Sequence, residues 1–512
     1  MSGSEMTVPW LTILAALPLL GSIVVMLVPR GTDLPKQLAS GISLVALAIS
    51  VGLAVQFDAN GGFQFVELHS WIETFGANYA LGLDGLGLVL VLLTTILTPV
   101  VILASWNDAD DGRWSVNSFF AWMLALEGLA IGVFAATDVF LFYVLFEATL
   151  IPIYFLIGGF GGPRRSYAAV KFLLYSLLGG LLMLASVIGL YVVGSDSASG
   201  PSYLLKDLMQ LDMSTTTGRW LFLGFFIAFA VKAPMWPVHT WLPEAASEGT
   251  PGTSVLLVSI LDKIGTFGMM RFCLGIFPEA SRWATPVVIA LAVFSVLYGA
   301  LLAIGQNDIR RLIAYTSISH FGFIVLGIFA LTRQGQAGSA LYMFNHGLST
   351  AALFLVTGFL ISRRGSKMIT DYGGVEKVAP VLAGIFLVAG LSSLSLPGLS
   401  PFVSEFLVLA GTFTKSVTAA VIATLGIVLA ALYILLMYQR TMTGPVREST
   451  RHLPDLRPRE IAALAPLIGL IVVLGLFPKP ALDVLNPTVD SILQNVGVED
   501  PQPTVAADTE GS

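Results

Sequence analysis

Four ionisable side chains sit in stretches otherwise too apolar to hold them. Lys232 falls within residues 220–236 and Lys263 within 255–270, each near the middle of a run long enough to cross a bilayer. Glu147 lies in the apolar stretch 141–152 and Glu405 in 399–409. A charge at the bilayer centre costs at least about 2.5–3.5 kcal/mol on the most permissive insertion scale, so four such groups call for a use. Acids and bases buried together can share and pass protons, and movement of ions or protons is the chemistry this set suggests. If Glu147 faces Lys232, the two form a buried pair whose separation governs where the proton resides. The alternative is a static salt bridge joining two helices; the helix break beside Lys232 favours the mobile reading.

Further groups fill in a path. Lys263 stands beside Gly265, which permits close helix approach, and is the next proton station inward from Lys232. Its neighbour Asp262 projects about 100° away around the helix, as a local counter-charge or as a relay member. His320 and His346 lie between Lys263 and Glu405 in chain order and can bridge them as imidazoles, the plainer reading of each being a hydrogen-bonded packing residue. His239 follows the break after Lys232 and is placed to wet or cap it. Glu127 is a further buried acid, read as a link towards a neighbouring subunit. Asp84 and Asp138 open apolar runs and read as helix N-caps. Trp71, Trp106, Trp114, Trp220 and Trp241 fall near run ends, as in an interfacial belt.

The surrounding chain is that of a polytopic membrane protein. Of 512 residues, 55% are hydrophobic and 11% charged, and the mean hydropathy is +0.84. A soluble chain carries roughly 25% charged residues. One cysteine, Cys273, excludes an internal disulfide framework and cannot alone hold an iron–sulfur cluster. No Walker sequence occurs, no strand precedes a GxGxxG turn, and no histidine pairing supports a metal site. The glycines of 158–163 read as a tight loop before Arg164 and Arg165. The first apolar stretch has no basic residue before it and reads as an uncleaved span. No nucleic-acid partner is expected; the bilayer is.

At roughly 20 apolar residues per crossing, the sequence divides into fourteen spans: 7–29, 38–56, 82–105, 116–136, 138–158, 167–193, 219–243, 251–274, 285–304, 309–331, 336–361, 379–414, 419–439 and 460–477. The seventh contains Pro234 and Pro237, the twelfth Pro397 and Pro401, and both are expected to be broken. Alternating the spans puts sixteen basic residues on one side and seven on the other, with Lys171, Lys232 and Lys263 inside spans, which accounts for all 26. The positive-inside rule makes the richer side cytoplasmic and places both termini outside. Breaks five spans apart fit two five-helix repeats of opposite orientation, spans 4–8 and 9–13. The chain then divides into 1–115 (helices 1–3), 116–274 (first repeat), 285–441 (second repeat), 442–485 (a cytoplasmic loop and helix 14) and 486–512, a polar, acidic external tail.

Three segments resemble a known family. They are residues 136–152, with Phe146-Glu147-Ala148; residues 231–245, with Val231-Lys232-Ala233-Pro234; and residues 396–406, with Pro397-Gly398-Leu399-Ser400-Pro401. Together they are similar to the antiporter-like, proton-conducting subunits of respiratory complex I, over about four-fifths of the chain. The resemblance implies a proton channel in an NADH:quinone oxidoreductase of a bacterial plasma membrane. It assigns Glu147 and Lys232 as the coupling pair, Lys263 as the central relay, His320 and His346 as links, and Glu405 as the terminal station. It implies no cofactor in this chain, with FMN, iron–sulfur clusters and quinone in partner subunits. The implied partners are sister subunits of the L and N type, which carry lysine where Glu405 stands, and a peripheral redox arm. Asp262 departs from the family pattern, in which an uncharged residue precedes the lysine. A subunit of a multi-subunit cation/proton antiporter, or of a related membrane-bound hydrogenase or dehydrogenase, is the competing reading.

Overall fold

The computed structural model describes residues 8–110, 114–197 and 200–500. Among the described residues, twelve helices are long and apolar enough to cross a membrane, from Trp10–Leu27 to Pro458–Leu476. Two further helical runs are interrupted: Thr215–Lys232 is followed by Trp241–Glu248, and Pro380–Ser393 by Ser400–Lys415. These interruptions coincide with the two proline-bearing stretches expected to break.

Burial sorts the helices into an inner and an outer set. The most apolar window of Pro251–Ile276 is 100% buried, and those of Ile309–Phe329 and Arg333–Arg364 are 94% buried. In Trp10–Leu27, Leu34–Gln56 and Pro458–Leu476 the share falls to 28%. Helices this apolar with so little cover must turn their remaining surface to lipid or to another protein. The inner helices carry Asp262, Lys263, His320 and His346, whereas Glu147, Lys232 and Glu405 lie on less enclosed helices packed around them.

Sequence periodicity missed two elements. Gln64–Ile72 and Ala77–Leu83 form an antiparallel hairpin in a stretch expected to be loop, so the third span starts at Gly85. The hairpin's Glu67 accepts the Leu11 and Thr12 amides at 2.8 and 3.2 Å, filling orphan donors at the start of Trp10–Leu27. The boundary drawn at 486 falls inside a helix, Lys479–Val496, and only 501–512 of the expected tail lie outside the described residues. Leu485, Val489, Leu493 and Val496 form its buried stripe, a spacing obscured by the polar residues between them. Thr488 accepts the Gly85 amide at 3.1 Å, and Asn495 donates to the Leu274 and Gly275 carbonyls at 3.0 and 2.9 Å. This helix therefore caps the ends of two spans.

Asp84 and Asp138 cap helices as expected, accepting the Gly87 and Leu141 amides at 2.9 Å each. Asp84 does more: its two oxygens take both terminal nitrogens of buried Arg271 at 2.6 Å. Of the expected aromatic belt, Trp71, Trp114 and Trp220 are exposed. Trp241 is a correction, being fully buried because its indole Nε1 donates to the Val231 carbonyl at 2.9 Å. Asp84→Ala leaves Arg271 buried without its carboxylate. A loss of about 3–5 kcal/mol is expected, read as a lower thermal unfolding midpoint in detergent; an unchanged midpoint would refute the pair's structural role.

Candidate functional site

Lys232, Lys263 and Glu405 sit beside irregular backbone, whereas Glu127 lies within the unbroken helix Val116–Ala135. Lys232 is the last residue of Thr215–Lys232, 1% exposed, and its Nζ has no hydrogen-bond partner. It lies over the rings of Phe146 and Phe172, 4.9 and 5.7 Å from their centroids, within range of a cation–π attraction. The break beyond it is satisfied from elsewhere: the Trp241 indole serves the Val231 carbonyl, and the Ser295 hydroxyl accepts the Trp236 amide at 3.0 Å. His239, the expected cap, does not fill that role. It is buried edge-on against Tyr298, 5.0 Å between centroids, with its Nδ1 unpartnered.

Glu147 lies on the span Val139–Phe160, two residues before Thr149, which keeps right-handed helical torsions and donates its amide to Leu145 O at 3.1 Å. Its carboxylate occupies the notch left by Gly180, where a Cβ would fall 1.8 Å from Oε1. Glu147 and Lys232 interact electrostatically but form no ion pair within 4 Å. Lys232 rests on aromatic faces instead, so the pair stands open.

Lys263 follows a π-helical turn, Leu256–Leu261, that periodicity did not reveal. The Lys263 ammonium donates to a carbonyl within that turn, Val258 O, at 2.8 Å. The same Nζ lies 2.6 Å from His346 Nδ1 and 4.8 Å from the Phe321 ring centroid. His346 meets His320 edge-on at 5.2 Å between centroids, and both approach Tyr342, at 6.2 and 5.8 Å. Tyr342 donates its hydroxyl to Glu405 at 2.9 Å. Ser395, in the second break with φ of 61°, donates to the same carboxylate. The structure thus brings Lys263, His320, His346 and Glu405 into one buried cluster.

Sequence reasoning missed Tyr342 and Ser395. Tyr342 was detectable, since it precedes His346 by four residues and shares its helix face. Asn345 was also missed; it donates to Ser400 O and Ser404 Oγ, both at 2.8 Å, and ties the second break to Arg333–Arg364. Glu127 is 1% exposed with both oxygens unpartnered. Its helix packs against Trp10–Leu27, where Ala15 O lies 2.6 Å from the place of a Cβ on the neighbouring Gly128. Asp262 is fully buried, both oxygens unpartnered, and interacts electrostatically with both Lys232 and Lys263. No group of three potential metal ligands occurs among the described residues.

The fold and the buried cluster define a helical membrane protein of the ion-translocating kind. The family model "NADH:quinone oxidoreductase/Mrp antiporter, TM" matches residues 136–430, which include every residue of the cluster. The chain belongs to this family. It is 51% identical to NADH-quinone oxidoreductase subunit M of Mycobacterium tuberculosis, the match covering 98% of this chain and 96% of that one. A chain of respiratory complex I from Thermus thermophilus superposes with a TM-score of 0.87 at 30% identity, over 95% of this chain and 100% of that chain. A chain of the Mrp complex from Dietzia shares the fold, at a TM-score of 0.84 and 21% identity, over 96% and 100%.

Buried polar atoms without a protein partner are normally bridged by water. Lys232 Nζ, Asp262, Ser259 Oγ, Ser349 Oγ and His346 Nε2 are such atoms. A map that resolves ordered water is expected to place water against these groups; a dry, sealed interior would remove proton exchange as their use.

Proposed function

We propose that this chain is the M-type, proton-translocating membrane subunit of an NADH:quinone oxidoreductase in a bacterial plasma membrane. The observation that carries the reading is the contact series Lys263–His346–His320/Tyr342–Glu405, buried among helices and ending at a break. Each member can hold or pass a proton, and no step in the series asks a charge to cross bare hydrocarbon. Glu147 and Lys232 form the coupling element at one end. Their separation sets which of them holds the proton, and Lys263 receives it when Lys232 releases it. Glu405, held by Tyr342 and Ser395, delivers it outward.

The two interrupted helical runs are the seventh and twelfth of fourteen crossings, the equivalent members of two inverted five-helix repeats. Both termini then face outward. Redox chemistry, with flavin, iron–sulfur clusters and quinone, resides in partner chains, and sister L- and N-type subunits are the membrane neighbours. Glu405 separates this chain from sister subunits with lysine at that position, in keeping with its similarity to subunit M.

Lys232→Ala and Glu147→Ala, in the assembled complex, are each expected to lower proton translocation by at least about tenfold. Proton uptake into sealed vesicles during NADH oxidation measures this, and wild-type yields in both would eliminate the coupling pair. Glu405→Gln keeps the shape but cannot carry the proton. It should block release, and an unaltered ratio of protons to electrons would exclude it as the exit group.

A further inference from the structure

Asp262 and Glu127 are buried acids that the relay as described leaves unused, and Asp262 is the one that adjoins a lysine. It is fully enclosed, and neither carboxylate oxygen has a hydrogen-bond partner. An orphaned acid in a membrane interior is retained only against a substantial cost, and capping, metal binding and a closed ion pair are all absent here.

Its position on the helix supplies the reason. Gly265, three residues on and on the same face, packs so tightly on the end of Thr215–Lys232 that its Cβ would lie 2.5 Å from both Phe229 O and Ala233 N. Asp262 is therefore one turn from the place where the two lysine-bearing helices touch, beside the residue that follows Lys232. Lys263, its chain neighbour, is turned about 100° away towards Val258 O and His346. Both lysines lie within electrostatic reach of this one carboxylate. Lys232 and Lys263 have no shared contact of their own, and between them the relay is otherwise interrupted.

We infer that Asp262 carries the proton between the two lysines. The Lys232 ammonium releases a proton, through interposed water, to the Asp262 carboxylate, leaving a neutral amine and a carboxylic acid. The acid then gives the proton to the neutral amine of Lys263, which becomes an ammonium and restores the carboxylate. No bond other than the O–H and N–H bonds changes, and charge is conserved at each transfer. The inference rests on the proposed translocation by this chain and adds the step that joins its two halves.

The test is made on the assembled complex in sealed vesicles, with protons moved per NADH oxidised as the readout. Asp262→Asn keeps the size and removes the titratable oxygen; Asp262→Glu keeps the acid. The asparagine variant is expected to lose translocation by at least about tenfold, with the glutamate variant retaining more than about half. A purely structural role would leave the proton-to-electron ratio unchanged in both. Wild-type translocation by Asp262→Asn overturns the inference. If that variant does not assemble, Asp262→Glu decides: an assembled glutamate variant that pumps below about a tenth of wild type overturns it too. Lys263→Ala in parallel separates the two readings. Loss in Lys263→Ala with full activity in Asp262→Asn defeats only this step, whereas full activity in both defeats the translocation reading itself.

Discussion

A charge inside a bilayer must be met by polar groups, and in a helical membrane protein an undisturbed helix has none to offer. Every backbone donor and acceptor is already used within the helix. Three of the central acids and bases of this chain sit where that bookkeeping is relaxed. Lys232 ends a helix, Lys263 follows a π-turn, and Glu405 follows the break that contains Ser395. The Val258 carbonyl beside Lys263 makes the principle concrete, because it lies within the irregular turn and accepts from the ammonium. Backbone irregularity therefore accompanies Lys232, Lys263 and Glu405, while Glu127, His320 and His346 lie in unbroken helices.

Irregular backbone needs outside support, and helix packing supplies it. Arg333–Arg364 is the hub: it carries Tyr342, Asn345 and His346 into the cluster and lies between the Lys263 helix and the second break. Gly338 lets it approach the Ser404 carbonyl, and Gly347 lets it approach that of Ser259, where added Cβ atoms would lie at 2.9 and 3.2 Å. Close approach shortens the reach between side chains, so a single Lys263–His346 contact of 2.6 Å spans two helices. The outer helices, in which 28% of the most apolar window is buried at the N-terminus, complete the exclusion of lipid without entering the site.

Much of this was legible in the residues themselves. A lysine or glutamate in an apolar run is conspicuous whatever the fold, and proline pairs announce broken helices from their chemistry alone. Hence Lys232, Lys263, Glu147, Glu405 and both interruptions were readable. The π-turn before Lys263 was not, because Leu256–Leu261 is uniformly apolar and no residue in it marks the extra backbone step. Tyr342 and Asn345 went unread because a polar aromatic or amide in a span is common, and its partner lies in another helix. For Glu127 only the depth along its span was readable, because the direction a side chain faces depends on which neighbour packs there. The helix Lys479–Val496 was hidden by composition, since half of a capping, half-wet helix is polar.

The two lysines differ in a way that bears on direction. Lys263 is fully engaged, holding Val258 O and His346 Nδ1, while Lys232 has no hydrogen-bond partner and leans on two phenylalanine rings. An ammonium on aromatic faces keeps part of its electrostatic support but no directional bond, so it can turn at little cost. A hydrogen-bonded ammonium is held in one orientation, towards the histidines. In the proposed relay the Glu147–Lys232 end is therefore the one with the fewer directional contacts. Fixed geometry is concentrated at the Lys263–Glu405 end, where a proton needs a defined path. If the proposed relay operates, its order of events follows from which lysine has hydrogen-bond partners and which does not.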